Sequence, residues 1–400
     1  MSIDVIREDI RAIQAYAVPV LDSDVIKLDA MEVPYLLPEN LHQELAEQLI
    51  KAPINRYPNP ASSGLQDALR LAFPIPSDAH IALGNGSDEL IQFITLLVAK
   101  PDAVVLSIEP TFVMYQRNAE LFGMKYVSVP LNEDFSLNMD AVLSAIQEHQ
   151  PVLTFIAYPN NPTGVAYQRE QVEKIIQAAT GLVVIDEAYG AFSHDSFLPQ
   201  AGQPEHLLVL RTLSKIGFAG LRVGYVSGSP AVIDELAKIV PPYNMNQLSL
   251  TAAKFALQHI DAVNENIALL TGERERLQQT LAKLPDVKVF NSAANFVTVR
   301  LPKAEQAFET LKQNKILVKK LSGSHALLDN CLRLTVGKPD ENDKVLTILT
   351  EHCQQCVANK QITTPLMSSL FSKNKAVYKW LTVGVVFALI AMVVAILYFA

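Results

Sequence analysis

A lysine followed by two glycines and an arginine is the stretch of this 400-residue chain best equipped for chemistry. Lys215 follows the apolar run 207–210, which predicts a short buried strand with the lysine at its end. Gly217 and Gly220 let the backbone approach a ligand closely, and Arg222 carries a planar fork suited to phosphate. An amine and a phosphate clamp this close together predict a ligand with both an aldehyde and a phosphate group.

A second apolar run, 182–185, ends in a carboxylate at Asp186. The 29 residues from Asp186 to Lys215 suffice for one crossover between neighbouring parallel strands. Pyridoxal phosphate carries the aldehyde and the phosphate, and a carboxylate beside its ring nitrogen would keep that nitrogen protonated and the ring electron-poor. The two motifs together therefore predict a pyridoxal-phosphate site. Taken alone, the lysine motif is also compatible with a solvated surface residue.

Two further turns are candidates for the same site. Residues 80–90 predict a strand, a Gly-Asn-Gly turn and a helix from Ser87, whose free amides would bind an anion. The alternative is an ordinary capped helix, with Asp88 and Glu89 balancing the helix dipole. The turn 158–164, rich in proline and asparagine, can hold the amide of Asn161 rigidly over a site.

Composition and charge exclude several classes of protein. The net charge is −8, which gives no basic footprint for nucleic acid. The chain has three cysteines, too few for a disulfide framework. Cys353 and Cys356 have the CxxC spacing, but no second pair completes a zinc site, so we predict no metal and interpret the stretch as the end of a surface helix.

Strand and helix patterns alternate from residue 80 to residue 210. This order predicts an α/β fold with a mainly parallel sheet flanked by helices on both faces, with ligands bound beyond the carboxyl ends of the strands. Short strands and helices after residue 285 predict a smaller α/β domain. The predicted organisation is an N-terminal arm at 1–38, a large domain at 39–284, a small domain at 285–360 and a linker at 361–379.

The last 21 residues, 380–400, contain no charged side chain. A helix of that length spans the roughly 30 Å core of a bilayer, so we predict a C-terminal transmembrane helix. Lys373, Lys375 and Lys379 precede it, and positive charge on that side predicts that the main body faces the cytoplasm. The sequence thus predicts a membrane-anchored protein with the lipid bilayer as a partner.

From about residue 9 to residue 351 the chain resembles the fold type I pyridoxal-phosphate aminotransferases, and within them the histidinol-phosphate aminotransferase family. The resemblance rests on the motifs at 26–34, 55–58, 84–89, 110–112, 159–164, 186–189, 211–222, 241–244, 294–296 and 332–337. It implies a type I fold with a large and a small domain, bound pyridoxal 5'-phosphate and a homodimer.

The resemblance also implies a role for each site residue. Lys215 would bind the cofactor aldehyde, Asp186 would pair with the ring nitrogen, and Asn161 and Tyr189 would contact the ring oxygen. Phe112 would stack on the ring, although a plain core position is the alternative. The phosphate would be held by Gly86, Ser87, Asp88, Thr212 or Ser214, Arg222 and, from a second subunit, Tyr57.

Substrate recognition is assigned by the same resemblance. Arg333 would bind the carboxylate of glutamate and the phosphate of histidinol phosphate, with Tyr16 assisting; an internal salt bridge of Arg333 is the alternative. Lys319 stands where the family usually carries arginine, and Met31 stands where asparagine is usual. Because lysine grips phosphate only as a point charge, Lys319 puts the substrate in question.

The predicted activity is amino transfer between histidinol phosphate and 2-oxoglutarate, a reaction of histidine biosynthesis. The resemblance leaves two other activities open: amino transfer from an aromatic or other amino acid, and a lyase reaction like that of threonine-phosphate decarboxylase. A membrane-bound scaffold without catalysis is disfavoured because Lys215, Asp186, Asn161, Tyr189 and Arg222 are all present.

Overall fold

The computed structural model describes residues 5–13, 22–59 and 64–373, with side chains described as far as residue 359. The chain forms two compact units, Met1–Ile348 and Leu349–Ala400. Both sheets and the site residues discussed below belong to the first unit. The predicted boundary between a large domain at 39–284 and a small domain at 285–360 stays a prediction, because both sheets lie in one unit.

Twelve strands are described in two sheets. They are β1 Ile26–Leu28, β2 His80–Gly84, β3 Val104–Glu109, β4 Lys125–Pro130, β5 Leu153–Ala157, β6 Leu182–Asp186, β7 Leu207–Thr212, β8 Gly224–Gly228, β9 Lys288–Val289, β10 Phe296–Arg300, β11 Ile316–Lys320 and β12 Cys331–Thr335.

Twelve α-helices are described around the sheets. They are α1 Glu8–Ala12, α2 His42–Lys51, α3 Leu65–Ala72, α4 Ser87–Val98, α5 Met114–Leu121, α6 Met139–His149, α7 Arg169–Ala178, α8 Pro230–Ala237, α9 Gln247–Gln258, α10 Ile260–Leu281, α11 Ala304–Gln313 and α12 Pro339–Lys373.

The seven-stranded sheet has the order β2-β8-β7-β6-β5-β3-β4. Strands β3 to β7 pair in parallel, whereas β8 runs antiparallel to both β7 and β2. Val184 of β6 packs in the cluster formed with α4, α5 and α8, while Val183 and Ile185 pack in the cluster on the other face. Burial of both faces explains why the central strands are continuously apolar, and it confirms the predicted sheet with helices on both sides.

The five-stranded sheet has the order β1-β11-β12-β10-β9. Strand β1 lies in the segment predicted to be the N-terminal arm, and it pairs in parallel with β11, with Ile26 opposite Ile316. A strand of three residues is too short to show a periodic pattern, so its pairing could not be predicted locally. This pairing carries the segment 29–31 toward the ends of the large sheet.

The C-terminal helix is longer than predicted, and the predicted membrane span is not supported. Helix α12 continues through residues 361–373, which the sequence assigned to a polar linker. In the described part of the chain, no helix combines the length and the apolar composition needed to cross a membrane, and α12 itself carries acids in its first turn. The predicted span 380–400 lies outside the described residues. Because no described helix could cross a membrane, the prediction of a transmembrane helix is wrong. The membrane-anchored location and the bilayer partner inferred from it are wrong as well.

Candidate active site

The parallel strands bring the predicted motifs to one edge of the large sheet. Ala157, at the end of β5, lies opposite Asp186 at the end of β6, and Asp186 lies opposite Leu210 of β7. The turn 158–164 follows β5, and Lys215 lies in a short 3-10 helix, Leu213–Ile216, directly after β7. Because the three carboxyl ends are adjacent, side chains far apart in sequence face the same cavity.

That cavity has a volume of about 590 Å³. The predicted site residues that line it are Ser87, Asp88, Phe112, Asn161, Asp186, Tyr189, Thr212, Ser214, Lys215, Arg222, Lys319 and Arg333. Tyr57 and Gly86 are not among its lining residues, and Tyr16 lies outside the described residues.

Lys215 is largely buried, and its amine donates a hydrogen bond to the carbonyl oxygen of Ala30 at 3.1 Å. Burial lowers the pKa of Lys215 to about 8, and the positive charge of Arg333 acts in the same direction. A lysine must lose its proton before it can attack an aldehyde. Lys215 is therefore in the environment that a carbonyl-binding amine requires.

Asp186 is only 4% exposed at the end of β6. Its Oδ2 accepts a hydrogen bond from the Tyr115 hydroxyl at 2.7 Å, and its Oδ1 accepts one from the Ala188 amide at 3.0 Å. Burial raises the pKa of Asp186 to about 6, although both hydrogen bonds oppose the shift. Its carboxylate forms no ion pair with any side chain that the structure describes. A buried carboxylate with a raised pKa and no ion pair among the described side chains favours a cationic ligand in the cavity.

A candidate anion-binding cup lies at the start of α4. Gly86 precedes the helix with φ +84°, and a Cβ there would lie 2.5 Å from Nη2 of Arg222. A Cβ on Gly224 would lie 2.6 Å from the amide nitrogen of Ser87, so only glycine allows β8 to approach this turn. The amides at the helix start and the guanidinium of Arg222 thus come together around one point.

The acids of this turn have separate partners. Glu89 accepts hydrogen bonds from the Asn85 amide at 2.7 Å and from Nδ2 of Asn244 at 2.9 Å, so it braces the loop. Asp88 lies 3.4 Å from Nη2 of Arg222. Nη1 of Arg222 also donates to Ser214 Oγ at 3.2 Å, and Ser214 Oγ lies 3.0 Å from Thr212 Oγ1. The cup therefore combines helix amides, hydroxyls and one guanidinium, which suits a phosphate better than a plain helix cap.

Arg333 lies in β12 and is 7% exposed. It contacts one residue that follows β5 of the large sheet and one that follows β1 of the small sheet. Its Nη1 donates to Asn161 Oδ1 at 2.6 Å, and its Nη2 donates to the carbonyl oxygen of Asp29 at 2.7 Å. Both of these acceptors are neutral groups, and the guanidinium lies in the cavity lining. Lys319 of β11 lies opposite Arg333 in the antiparallel register and adds a second cation to the lining.

Two aromatic residues complete the predicted set inside the cavity. Tyr189 is buried, packs edge-on against Phe296 with ring centroids 5.1 Å apart, and lies 5.9 Å from the Lys215 amine. Phe112 lines the cavity just before α5 and makes an edge contact with Tyr115. Phe112 is thus a flat apolar wall of the cavity as well as a packing residue.

Tyr57 lies elsewhere. Its side chain is among the exposed large hydrophobic groups, at 82%, and its ring stacks on Tyr243 at 4.9 Å. Within one subunit it does not reach the cavity, which leaves its predicted role dependent on a second subunit.

Three of the contributors that sequence reasoning missed make contacts important to the cavity. Tyr115 holds Asp186, Arg117 lines the wall formed by α5, and Ala30 accepts the hydrogen bond of Lys215. A signal existed for the first one: Tyr115 stands three residues after Phe112, a spacing that brings side chains together in a helical turn. In the structure Phe112 lies just before α5, and its ring contacts that of Tyr115. No local signal existed for Ala30, because its place depends on the pairing of β1 with β11.

The residues present fit pyridoxal phosphate. The buried carboxylate of Asp186 has no cationic partner among the described side chains, and the glycine cradle at Gly86 would be filled by a Cβ. A protonated ring nitrogen satisfies the first feature and a phosphate satisfies the second, with Lys215 placed in the same cavity to reach an aldehyde.

Comparison with known proteins agrees with this fit. The chain matches the family model "Aminotransferase class I and II" over residues 23–349. It is 59% identical over 353 residues to a histidinol-phosphate aminotransferase of Neisseria meningitidis serogroup B, covering 87% of this chain and 97% of that protein. It is 53% identical over 344 residues to a histidinol-phosphate aminotransferase of Chromobacterium violaceum, covering 86% of this chain and 96% of that one.

A solved structure extends the agreement to three dimensions. The crystal structure of histidinol-phosphate aminotransferase from Sinorhizobium meliloti in complex with pyridoxal-5'-phosphate superposes with a TM-score of 0.74 at 25% identity. The match covers 83% of this chain and 91% of that one. The overall architecture described above is thus shared with a protein that binds this cofactor.

Proposed function

Since the chain belongs to the class I and II aminotransferases, we propose that it transfers the amino group of histidinol phosphate to 2-oxoglutarate, with pyridoxal phosphate as cofactor. The observation that carries the proposal is one cavity holding Lys215, Asp186 and Arg333 together. An amine with a lowered pKa, a buried carboxylate without a cationic partner among the described side chains and a buried arginine in the cavity lining supply an attachment point, a nitrogen partner and an anion anchor.

When bound, pyridoxal phosphate supplies an electron sink that makes the carbon next to the substrate nitrogen acidic. The protein supplies the proton carrier. In this proposal the Lys215 amine, largely neutral above a pH of about 8, accepts the proton of that carbon as a general base and then donates it as a general acid. The Ala30 carbonyl accepts a hydrogen bond from Lys215 and so orients Nζ within the cavity.

Asn161, Tyr189 and Phe112 orient the ring in this proposal. Asn161 is fixed by its hydrogen bond from Arg333, so substrate anchoring and ring orientation share one hydrogen-bonded pair. Phe112 offers a ring face from the loop before α5, and Tyr189 lies beside Lys215. The cup of Gly86, Ser87, Asp88, Thr212, Ser214 and Arg222 holds the cofactor phosphate.

Arg333 is the anion anchor for both substrates, with Lys319 as the second cation. A glutamate carboxylate and a histidinol phosphate each bring a negative group that a planar guanidinium can bind bidentately. Lys319 approaches as a point charge and therefore contributes attraction with less directional control than arginine would. In this proposal Tyr16 assists from the N-terminal segment.

We also propose that the enzyme acts as a homodimer in which Tyr57 reaches the partner's phosphate cup. The support is the exposure of the stacked Tyr57 and Tyr243 rings, which lie outside the subunit's own cavity. Exposed aromatic pairs of this kind are typical of protein interfaces.

The direct test is a comparison of substrates on the purified protein supplied with pyridoxal phosphate. We expect glutamate to form from 2-oxoglutarate far faster with histidinol phosphate than with phenylalanine, and threonine phosphate to release no carbon dioxide. Equal or faster turnover of phenylalanine would move the assignment to an aromatic aminotransferase, and carbon dioxide release would move it to a lyase. Lys319→Arg serves as the companion variant, expected to raise kcat/KM for histidinol phosphate several-fold because arginine binds phosphate bidentately.

A further inference from the structure

Tyr115 contacts the one acid on which the cofactor ring depends. Its hydroxyl donates to Oδ2 of Asp186 at 2.7 Å, while the Ala188 amide donates to Oδ1 at 3.0 Å. A carboxylate offers about four acceptor sites, so two donors leave capacity for a ligand donor as well. The carboxylate is thus held from two sides and still able to receive a ligand proton.

The ring of Tyr115 cannot swing away from this contact. It is completely buried and stacks parallel on Phe155, with centroids 4.5 Å apart and an interplanar angle of 2°. Phe112 meets its edge, with centroids 5.7 Å apart at 86°. Because α5 supplies Tyr115 and β6 supplies Asp186, the hydrogen bond joins the helix to the end of the strand.

The charge on Asp186 depends on this donor. Burial raises the pKa of Asp186, and the Tyr115 hydrogen bond is the largest of the effects that lower it. Burial also raises the pKa of Tyr115 well above its usual value, so the phenol stays neutral and remains a donor. Removing the hydroxyl would leave a buried carboxylate with less support for its charged form.

We propose that Tyr115 is a positioning residue for the cofactor: its hydroxyl keeps the Asp186 carboxylate ionised and oriented so that it pairs with the protonated ring nitrogen of pyridoxal phosphate. The inference rests on the proposed function, because it requires that pyridoxal phosphate binds in this cavity. It goes beyond that function by assigning a role to a residue that does not itself touch the reacting atoms.

The test compares two cofactors on full-length protein freed of bound cofactor. One is pyridoxal phosphate, and the other is its 1-deaza analogue, in which a C–H group replaces the ring nitrogen. The measured quantity is the ratio of their dissociation constants, obtained by fluorescence titration. In the unaltered protein we expect the analogue to bind at least about tenfold more weakly, because an ionised Asp186 then faces a group that cannot pair with it.

In Tyr115→Phe that ratio is expected to fall about tenfold toward unity, since Asp186 loses the donor that favours its ionised form. A purely structural role would weaken both cofactors equally and leave the ratio unchanged, and that result would overturn the proposal. Tyr158→Phe is the matched control: it removes a hydroxyl that donates to Asp195 at 2.8 Å, a carboxylate that does not line the cavity. Its ratio is expected to equal that of the unaltered protein.

Two checks keep the outcomes distinct. Circular dichroism with thermal unfolding establishes whether Tyr115→Phe is folded. Phe155→Leu keeps the Tyr115 hydroxyl but removes the stacked ring. It is expected to lose stability while retaining most of the difference between the two cofactor dissociation constants. If the unaltered protein binds neither cofactor, the proposed function fails. If it binds pyridoxal phosphate but Tyr115→Phe keeps the ratio, only the role of Tyr115 fails.

Discussion

At the scale of single residues, two buried groups of the site reduce the stability of the folded protein. Asp186 is a buried carboxylate without a cationic partner among the described side chains, and Lys215 is an amine whose charged form is disfavoured by burial. Such groups are retained for what they bind, because a neutral side chain of the same size would be more stable in either place.

Asp186→Asn is expected to stabilise the cofactor-free protein while weakening cofactor binding. The pKa of Asp186 is raised to about 6 in the folded state, above its ordinary value. The folded state therefore binds the proton more tightly than the unfolded state, and the stability associated with this group is lost as the pH rises through about 6. The variant should gain roughly 1 to 3 kcal/mol in free energy of unfolding at pH 8 and less at pH 5.

Urea unfolding of the cofactor-free protein at both pH values measures this effect. The control is Glu133→Gln, which neutralises an exposed acid that does not line the cavity. A loss of stability in Asp186→Asn at pH 8 would contradict the interpretation of Asp186 as an unbalanced charge.

Lys215 gives the cavity a second pH signature. Because burial lowers its pKa to about 8, the neutral amine becomes the major form near that pH and not near 10.5. The rate at which cofactor-free protein captures pyridoxal phosphate is expected to rise with pH and to level off above about 8, as followed by rapid-mixing absorbance. Arg333→Gln removes a positive charge that contributes to the lowering, so the midpoint should move upward. A midpoint that stays in place would show that Arg333 exerts no field on the amine.

At the scale of elements, the proposed phosphate cup depends on a turn that only glycine can make. Gly86 combines a left-handed backbone with a close approach of the Arg222 guanidinium, and the neighbouring strand adds the contact at Gly224. The start of α4 is kept open for a ligand because Glu89 turns back into its own loop.

Gly86→Ala is expected to destabilise the protein by about 1 to 3 kcal/mol, since alanine is strained at φ +84°. Its Cβ would also displace Arg222, so affinity for pyridoxal phosphate should fall at least about tenfold. Gly272→Ala in α10 is the matched control, because a Cβ there meets nothing within 4 Å and helix propensity predicts a gain of about 1 kcal/mol. Thermal unfolding and cofactor titration report the two effects, and an unchanged cofactor affinity in Gly86→Ala would contradict the cup.

At the scale of the whole molecule, the cavity of a single subunit lacks one residue of the proposed site. Tyr57 is exposed and stacked on Tyr243, away from the cavity of its own chain. A two-fold symmetric pair would exchange these residues reciprocally, so each site would be complete only in the dimer.

Mixing two inactive variants tests this sharing. Lys215→Ala removes the amine and Tyr57→Ala removes the residue proposed to cross the interface. After unfolding and refolding as a mixture, half of the dimers would be mixed and each would contain one intact site, so roughly a quarter of the normal activity should return. Activity no higher than that of the Tyr57→Ala protein alone would show that Tyr57 serves its own subunit.

Local patterns in the sequence were enough to predict most of the fold and the centre of the site. Apolar runs ending in Asp186 and Lys215 marked adjacent parallel strands, and the Gly-Asn-Gly turn marked the start of α4. Periods of 2 and 3.6 residues are local properties, so they determined the order of elements and the edge of the sheet at which the cavity lies. The same reasoning predicted a membrane helix from composition alone, and no helix in the described part of the chain supports it.

Only the tertiary structure decided which side chains from distant segments meet. The hydrogen bond of Arg333 to Asn161 joins residues 172 positions apart, and that of Tyr115 to Asp186 joins residues 71 positions apart. The three-residue β1 finds its partner nearly 300 positions later, and that pairing brings the Ala30 carbonyl to Lys215. Such contacts are set by how packed elements exclude water and satisfy buried polar groups, which is a property of the assembled chain and leaves no periodic trace in the sequence.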